Sequence, residues 1–255
     1  MINDFLNQDI DNSSSNNQYS LDEKLDFLAN AEIVEINPIY RGSNYVYLTL
    51  LKNHKSQKML SIYKPVDGLQ PLFDFDITTL PDRELSAFVL DQLLGWNLIP
   101  AIVIRNGPLG VGSLQEFIYH DPNNNYFDFI NEPAHHPSLL QIAVFDLLAN
   151  NADRKGGHVI QDSSKNFWAI DNALSFHTEE KLRTVIWDFA EKKIPDNLIS
   201  DIKVLSNILE SNKNKLSSSI NQLEIESLLV RCNELACNPI MPKIYPWRCW
   251  PWPLI

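Results

Sequence analysis

The stretch from Pro137 to Asp171 constrains the fold more than any other part of the chain. Leu140, Ala143, Val144, Leu147 and Leu148 recur at i, i+3, i+4, i+7 and i+8, which predicts an amphipathic helix over 137–149. The next residues, Asn151-Ala152-Asp153-Arg154-Lys155-Gly156-Gly157-His158, crowd an acid, two bases and an imidazole into one short loop. Two extended runs follow, 158–161 and 167–170, around the turn DSSKN. A hairpin closing about Ser164 sets His158 opposite Ile170, brings Asp171 beside His158, and leaves Asp153 on the same rim. Two carboxylates and an imidazole converging at strand ends suit a divalent metal bound to phosphate. The competing reading is a solvated polar loop capped by a turn aspartate.

Upstream, the pattern is mainly extended. A short helix over 21–30 precedes strands at 32–35, 45–51 and 59–66, the last two forming a hairpin. A helix over 81–94 follows, with Pro81 in its first turn, Asp82 and Glu84 at the positive end of the dipole, and Gly95 as its C-terminal cap. Strands at 99–105 and 113–119 are joined by NGPLGVG, which reads as a hairpin turn. Residues from about 179 to 235 read as helical, and the last stretch is rich in proline and tryptophan. The division expected is a disordered polar start over 1–20, a sheet lobe over 21–120, a mainly helical lobe over 121–237, and a tail over 238–255. Trp247, Trp250 and Trp252 are expected to anchor that tail by burying apolar area. The fold class is α+β, two lobes with a cleft between them.

Strand alternation puts Leu60, Ile62, Lys64 and Val66 on one face, so a lysine sits among apolar neighbours. It either snorkels outward or points its charge at a phosphate, steadied by a carboxylate on the next helix, Glu84 or Asp91. The turn Arg41-Gly42-Ser43-Asn44 opens the preceding strand and offers backbone N–H groups to a phosphate, unless it is a plain β-turn. The adjacent histidines His135 and His136 read as a polar loop before the helix.

Composition closes off several classes. Hydrophobic residues at 44% and charged residues at 21% describe a globular chain, and a net charge of −11 opposes binding to nucleic acid. Three cysteines are too few for a disulfide framework or a four-cysteine zinc site. No apolar run reaches the ~18 residues of a membrane span, and the acidic, Asn/Ser-rich start is not a signal peptide. The expected setting is the cytoplasm.

With these residues in view, the chain resembles phosphatidylinositol 3-/4-kinase-like enzymes of the protein-kinase-like fold, nearest a bacterial branch. The string AIDNALSFH over 169–177 is similar to their metal-binding segment, and ANNADRKGGHVI over 149–160 to their catalytic loop. IYKP over 62–65 resembles the nucleotide-lysine strand, and RELSAFVLDQLLGWNLIP over 83–100 the helix after it. The resemblance spans roughly residues 35–190 and implies ATP and Mg²⁺, with Mn²⁺ as the alternative ion. It implies that Lys64 binds the α/β-phosphates and pairs with Glu84. Gln115, Glu116 and Phe117 would form the hinge facing adenine. Asp153 would be the catalytic aspartate, Arg154 and Lys155 would neutralise the transferring phosphoryl group, and Asp171 would hold the metal. His158 stands where many kinases place a metal-binding asparagine, and Asn172-Ala173 replaces the usual glycine after the metal aspartate.

The function implied is phosphoryl transfer from ATP to a hydroxyl acceptor on a protein, a small alcohol or a lipid. No basic membrane-facing patch supports the lipid. A nucleotide-binding pseudokinase, acting as scaffold or switch without turnover, is the alternative. A metal-dependent hydrolase built on Asp153, His158 and Asp171 would have no use for Lys64 and Glu84.

Overall fold

The computed structural model describes residues 19–39, 45–211 and 215–255. Most of the expected disordered start and the turn Gly42, Ser43 and Asn44 lie outside the described residues. The elements are α1 (Leu21–Asn30), β1 (Glu32–Ile39), β2 (Val46–Lys52), β3 (Lys58–Pro65), α2 (Leu80–Leu94), β4 (Ile102–Gly107), β5 (Gly110–Glu116), α3 (His136–Ala149), β6 (Val159–Gln161), β7 (Phe167–Ala169), α4 (Asp196–Glu210) and α5 (Gln222–Cys237). A one-turn helix, Tyr126–Phe129, and several 3₁₀ turns complete them. Two compact units result, one from residues up to 70 together with 101–120, the other from 71–100 together with 121–255. The helix α2 thus belongs with the second unit. No helix among the described residues is long and apolar enough to cross a membrane.

The first unit is a five-stranded antiparallel sheet of order β1-β2-β3-β5-β4. One face carries Leu48, Leu50 and Leu60, packed with Ile39, Ile62, Phe117 and Tyr119. Lys64 lies two residues past Ile62 on that face and sits opposite Ser113. The helix α1 packs against β2, β4 and β5. Ser20 and Glu23 close its N-terminus as a reciprocal capping box. Lys24 Nζ reaches Glu116 Oε1 at 2.7 Å, and Arg105 Nη1 donates to the Ala29 carbonyl at 2.9 Å. A glycine is required at Gly112, because a Cβ there would stand 2.3 Å from the carbonyl oxygen of Lys64. That close approach lets β5 pair with β3 at the lysine.

In the second unit, α2 begins and ends as its sequence predicts, with Pro81 in the first turn and Gly95 in the left-handed conformation at φ 68°. The hairpin β6–β7 pairs Val159 with Ala169, Ile160 with Trp168 and Gln161 with Phe167, the register expected for closure about Ser164. The amide of Ile170 then donates to the His158 carbonyl at 2.9 Å.

The helical reading of 179–235 needs correction. Residues 179–195 form no α-helix, and helix resumes only at α4, after Pro195. Their backbone groups are paired elsewhere: Arg183 N donates to Asn151 O at 2.9 Å, Arg154 N to Arg183 O at 3.0 Å, and Ile194 N to Pro239 O at 2.8 Å. Long-range pairing of this kind outweighs local helix propensity. The tail is also held differently from expectation. Cys249 and Met241 are its buried anchors, while Trp247, Trp250 and Trp252 are exposed, Trp252 at 78%.

Candidate active site

The helix α3 buries an aspartate, Asp146, within an otherwise apolar face. A carboxylate so placed requires compensating charge and donors, and Arg154 supplies both. Its Nε lies 3.0 Å from each Asp146 oxygen, and its Nη2 lies 2.9 Å from Oδ1, with both side chains fully buried. Arg154 Nη1 donates to the Ile170 carbonyl at 2.6 Å, and Nη2 also donates to Asn172 Oδ1. One guanidinium therefore grips α3 and the residues on either side of Asp171, while its own backbone belongs to the loop that carries Asp153. This corrects the sequence expectation for Arg154. A side chain with no solvent exposure and all its nitrogens engaged does not face a phosphoryl group.

Asp153 itself is partly buried. Its amide donates to Asn151 Oδ1 at 2.9 Å, and its Oδ2 lies 3.1 Å from Lys155 Nζ. Burial pushes its carboxyl above the usual range. The charge of Lys155 opposes that rise, and the nearby Asp171 carboxylate adds to it. A carboxylate moved towards neutrality is better matched to accepting a proton from a hydroxyl.

Asp171 takes a left-handed backbone at φ 58°, uncommon outside glycine and tolerated best by Asp and Asn. Its Oδ2 lies 3.3 Å from His158 Nε2. The other ring nitrogen of His158, Nδ1, accepts from the Lys155 amide at 3.4 Å. A neutral ring that accepts at Nδ1 carries its proton on Nε2, directed at Asp171. In this arrangement His158 is a hydrogen-bond partner of Asp171.

Among the described residues, no three His, Cys, Asp or Glu side chains gather as a metal cage. The hard oxygens of Asp171 and Asp153 fit an ion that takes most of its ligands from phosphates and water, as Mg²⁺ commonly does.

Further residues brace this arrangement. Asp91, considered as a partner for Lys64, uses its carboxylate to accept from the amides of Leu98 and Ile99 at 3.0 and 3.1 Å. The Leu98 carbonyl in turn accepts from Ala169 N at 2.8 Å, two residues before Asp171. Burial raises the Asp91 carboxyl to about 6. Arg83, beside the buried Glu84 on α2, donates to the Ser175 carbonyl at 2.6 Å and pairs with Glu224 of α5. Asp146 and Arg83 were not singled out from sequence. The signal for Asp146 was a lone acid within the apolar run of α3. Arg83 had no comparable signal, because its partners are 92 and 141 residues away.

On the first unit, the amides expected to meet adenine are engaged within the sheet. Glu116 N donates to Ala101 O at 2.8 Å and Phe117 N to Leu60 O at 3.2 Å. Those two amides are therefore already satisfied within the first unit. His135 and His136 each bond a backbone carbonyl, of Phe129 at 3.2 Å and Ile130 at 2.9 Å, as befits structural histidines.

No protein-family model matches the chain. Protein Rv2133c of Mycobacterium tuberculosis is 33% identical over 268 residues, covering 91% of this chain and 95% of that protein. Among solved structures, hydra Fam20 with sugar superposes with a TM-score of 0.53 at 15% identity, covering 87% of this chain and 88% of that one. The Golgi casein kinase with Mn/ADP bound superposes with a TM-score of 0.52 at 12% identity, covering 88% and 76%. These likenesses give the chain a protein-kinase-like fold.

Proposed function

The chain belongs to the family of the mycobacterial protein Rv2133c, and from its kinase-like fold we propose that it transfers the γ-phosphoryl group of ATP to a hydroxyl acceptor. Within that fold it is read with the phosphatidylinositol 3-/4-kinase-like enzymes, through the segments over 149–160 and 169–177, without their lipid substrate. The observation that carries the proposal is the bracing of Asp153 and Asp171 by one buried guanidinium, Arg154. Such rigidity is what phosphoryl transfer asks of a protein, since the chemistry is mainly positioning and electrostatics.

In this reading Asp153 orients the acceptor hydroxyl and receives its proton, and Lys155 tempers the charge of that carboxylate. Lys64 engages the α/β-phosphates, with Glu84 as its proposed partner. Asp171, oriented by His158, would hold Mg²⁺ or Mn²⁺, which when bound neutralises phosphate charge. Three cysteines, none in a disulfide, fit a reducing compartment such as the cytoplasm. The pseudokinase alternative draws support from one contact, the 3.1 Å ion pair that keeps Lys155 on Asp153.

Thermal melting with Mg²⁺–ATP tests the nucleotide-binding core of the proposal. Ligand at ~100 Kd should stabilise the protein by roughly 2.7 kcal/mol, and Asp171→Ala should abolish the metal-dependent part. A melt indifferent to millimolar Mg²⁺–ATP contradicts both readings.

A further inference from the structure

After α5 the chain runs back along the second unit as irregular backbone. Met241 N donates to Lys192 O at 3.0 Å, and Glu191 N donates to Met241 O at 3.1 Å. Farther on, the Cys249 carbonyl accepts from Thr184 N at 3.1 Å and from Trp187 Nε1 at 3.2 Å. The Leu254 carbonyl then accepts from Gly156 N at 2.7 Å. Two of the amides that receive the passing chain, those of Gly156 and Thr184, adjoin the candidate site. Gly156 lies three residues past Asp153, and Thr184 is bridged to Arg154.

The surface under this segment is built for a polypeptide backbone. Gly156 has no room for a side chain, since a Cβ would stand 2.9 Å from the Phe127 ring, and its N–H donates to the passing chain. At Gly157 a Cβ would meet only Ile255, 3.8 Å away. Glycines side by side with spaced amide donors suit main-chain recognition, as when a peptide adds to a strand edge. The occupant is fastened unevenly. Cys249 and Pro251 are buried, whereas Trp252 and Ile255 are 78% and 66% exposed. Its last residues are therefore held mainly by the Gly156 hydrogen bond.

We propose that residues 252–255 form a strap over the catalytic loop, and that the phosphoryl acceptor is an extended polypeptide segment that takes the strap's place on Gly156. The proposal rests on the kinase reading and narrows it to a protein hydroxyl, on Ser, Thr or Tyr. In the transfer step, the acceptor oxygen bonds to the γ-phosphorus, the bond from that phosphorus to the β–γ bridging oxygen breaks, ADP leaves, and the hydroxyl proton passes to Asp153.

The test compares the full chain with a chain lacking Leu254 and Ile255. Each is incubated with Mg²⁺, γ-labelled ATP and a degenerate peptide library containing Ser, Thr and Tyr, and nucleotide affinity is measured in parallel. Nucleotide affinity should be equal in the two, while peptide labelling at limiting peptide should rise about tenfold in the shortened chain, the bias that one hydrogen bond of ordinary net strength imposes. Equal labelling, or none, with nucleotide affinity intact overturns the strap proposal. Absence of nucleotide binding in both chains overturns the kinase reading on which it rests. Hydrogen exchange at the Gly156 amide supplies a second readout. Protection should be present in the full chain, lost in the shortened one and restored by peptide. Failure of peptide to restore it contradicts the assigned acceptor class.

Discussion

Replacing Arg154 by methionine should cost the second unit about 3–5 kcal/mol of stability, because it strands a buried carboxylate. Asp146 would keep only Asn151 Nδ2 at 3.2 Å and Thr184 Oγ1 at 3.4 Å as side-chain donors, while the Ile170 carbonyl and Asn172 Oδ1 would each lose theirs. Methionine approximates the lost volume, so the cost is electrostatic and not that of a cavity. All six tryptophans fall in the second unit, so their fluorescence during urea unfolding reports on that unit alone. The melting temperature should drop by roughly 10 °C. A second substitution, Asp146→Leu, placed on top of Arg154→Met, should recover at least half of the loss, since an apolar pair removes the stranded charge. The solvent-exposed pair Lys193–Asp196 supplies the contrast, and Lys193→Met should leave the midpoint unmoved. A loss below ~1 kcal/mol for Arg154→Met, or a double variant no more stable than the single one, would refute the argument that this ion pair braces the site.

Two further outcomes follow from the site. Burial raises the Asp91 carboxyl to about 6, above its unfolded value, so the native state holds that proton more tightly. Its contribution therefore favours folding in acid, declines as pH rises from ~4 towards ~6, and is level above that. Asp91→Asn keeps an oxygen for the Leu98 and Ile99 amides, and denaturation at pH 4, 5, 6 and 7 should show the variant gaining on wild type across that window; a constant difference would disprove it. His158→Asn should weaken metal-dependent nucleotide binding without changing the ratio of Mg²⁺ to Mn²⁺ response, because the ring orients Asp171; a shift in that ratio would make His158 a ligand.

What could be read in the sequence was set by short-range constraints. The β6–β7 register followed from the turn at Ser164, and the limits of α2 from Pro81 and Gly95, each a matter of a few neighbouring residues. The kinase-like order of lysine strand, helix, acidic loop and hairpin was legible for the same reason. Long-range pairing was not. Nothing near Arg154 in the chain announces that it turns inward to Asp146, and the helical character of 179–195 is overridden by bonds to Asn151, Arg154 and Pro239. The tryptophans of the tail invited burial by their composition, yet the backbone of Cys249 and Leu254 is what docks.

Label transfer from γ-labelled ATP by wild type and Asp153→Asn tests the central claim most directly. Asparagine keeps the shape of the aspartate and cannot take a proton. With Mg²⁺ or Mn²⁺ present, wild type should release ADP and pass label to an acceptor, while Asp153→Asn should bind nucleotide with unchanged affinity and turn over about 10²–10⁴-fold more slowly. Equal turnover in the two proteins would contradict the account.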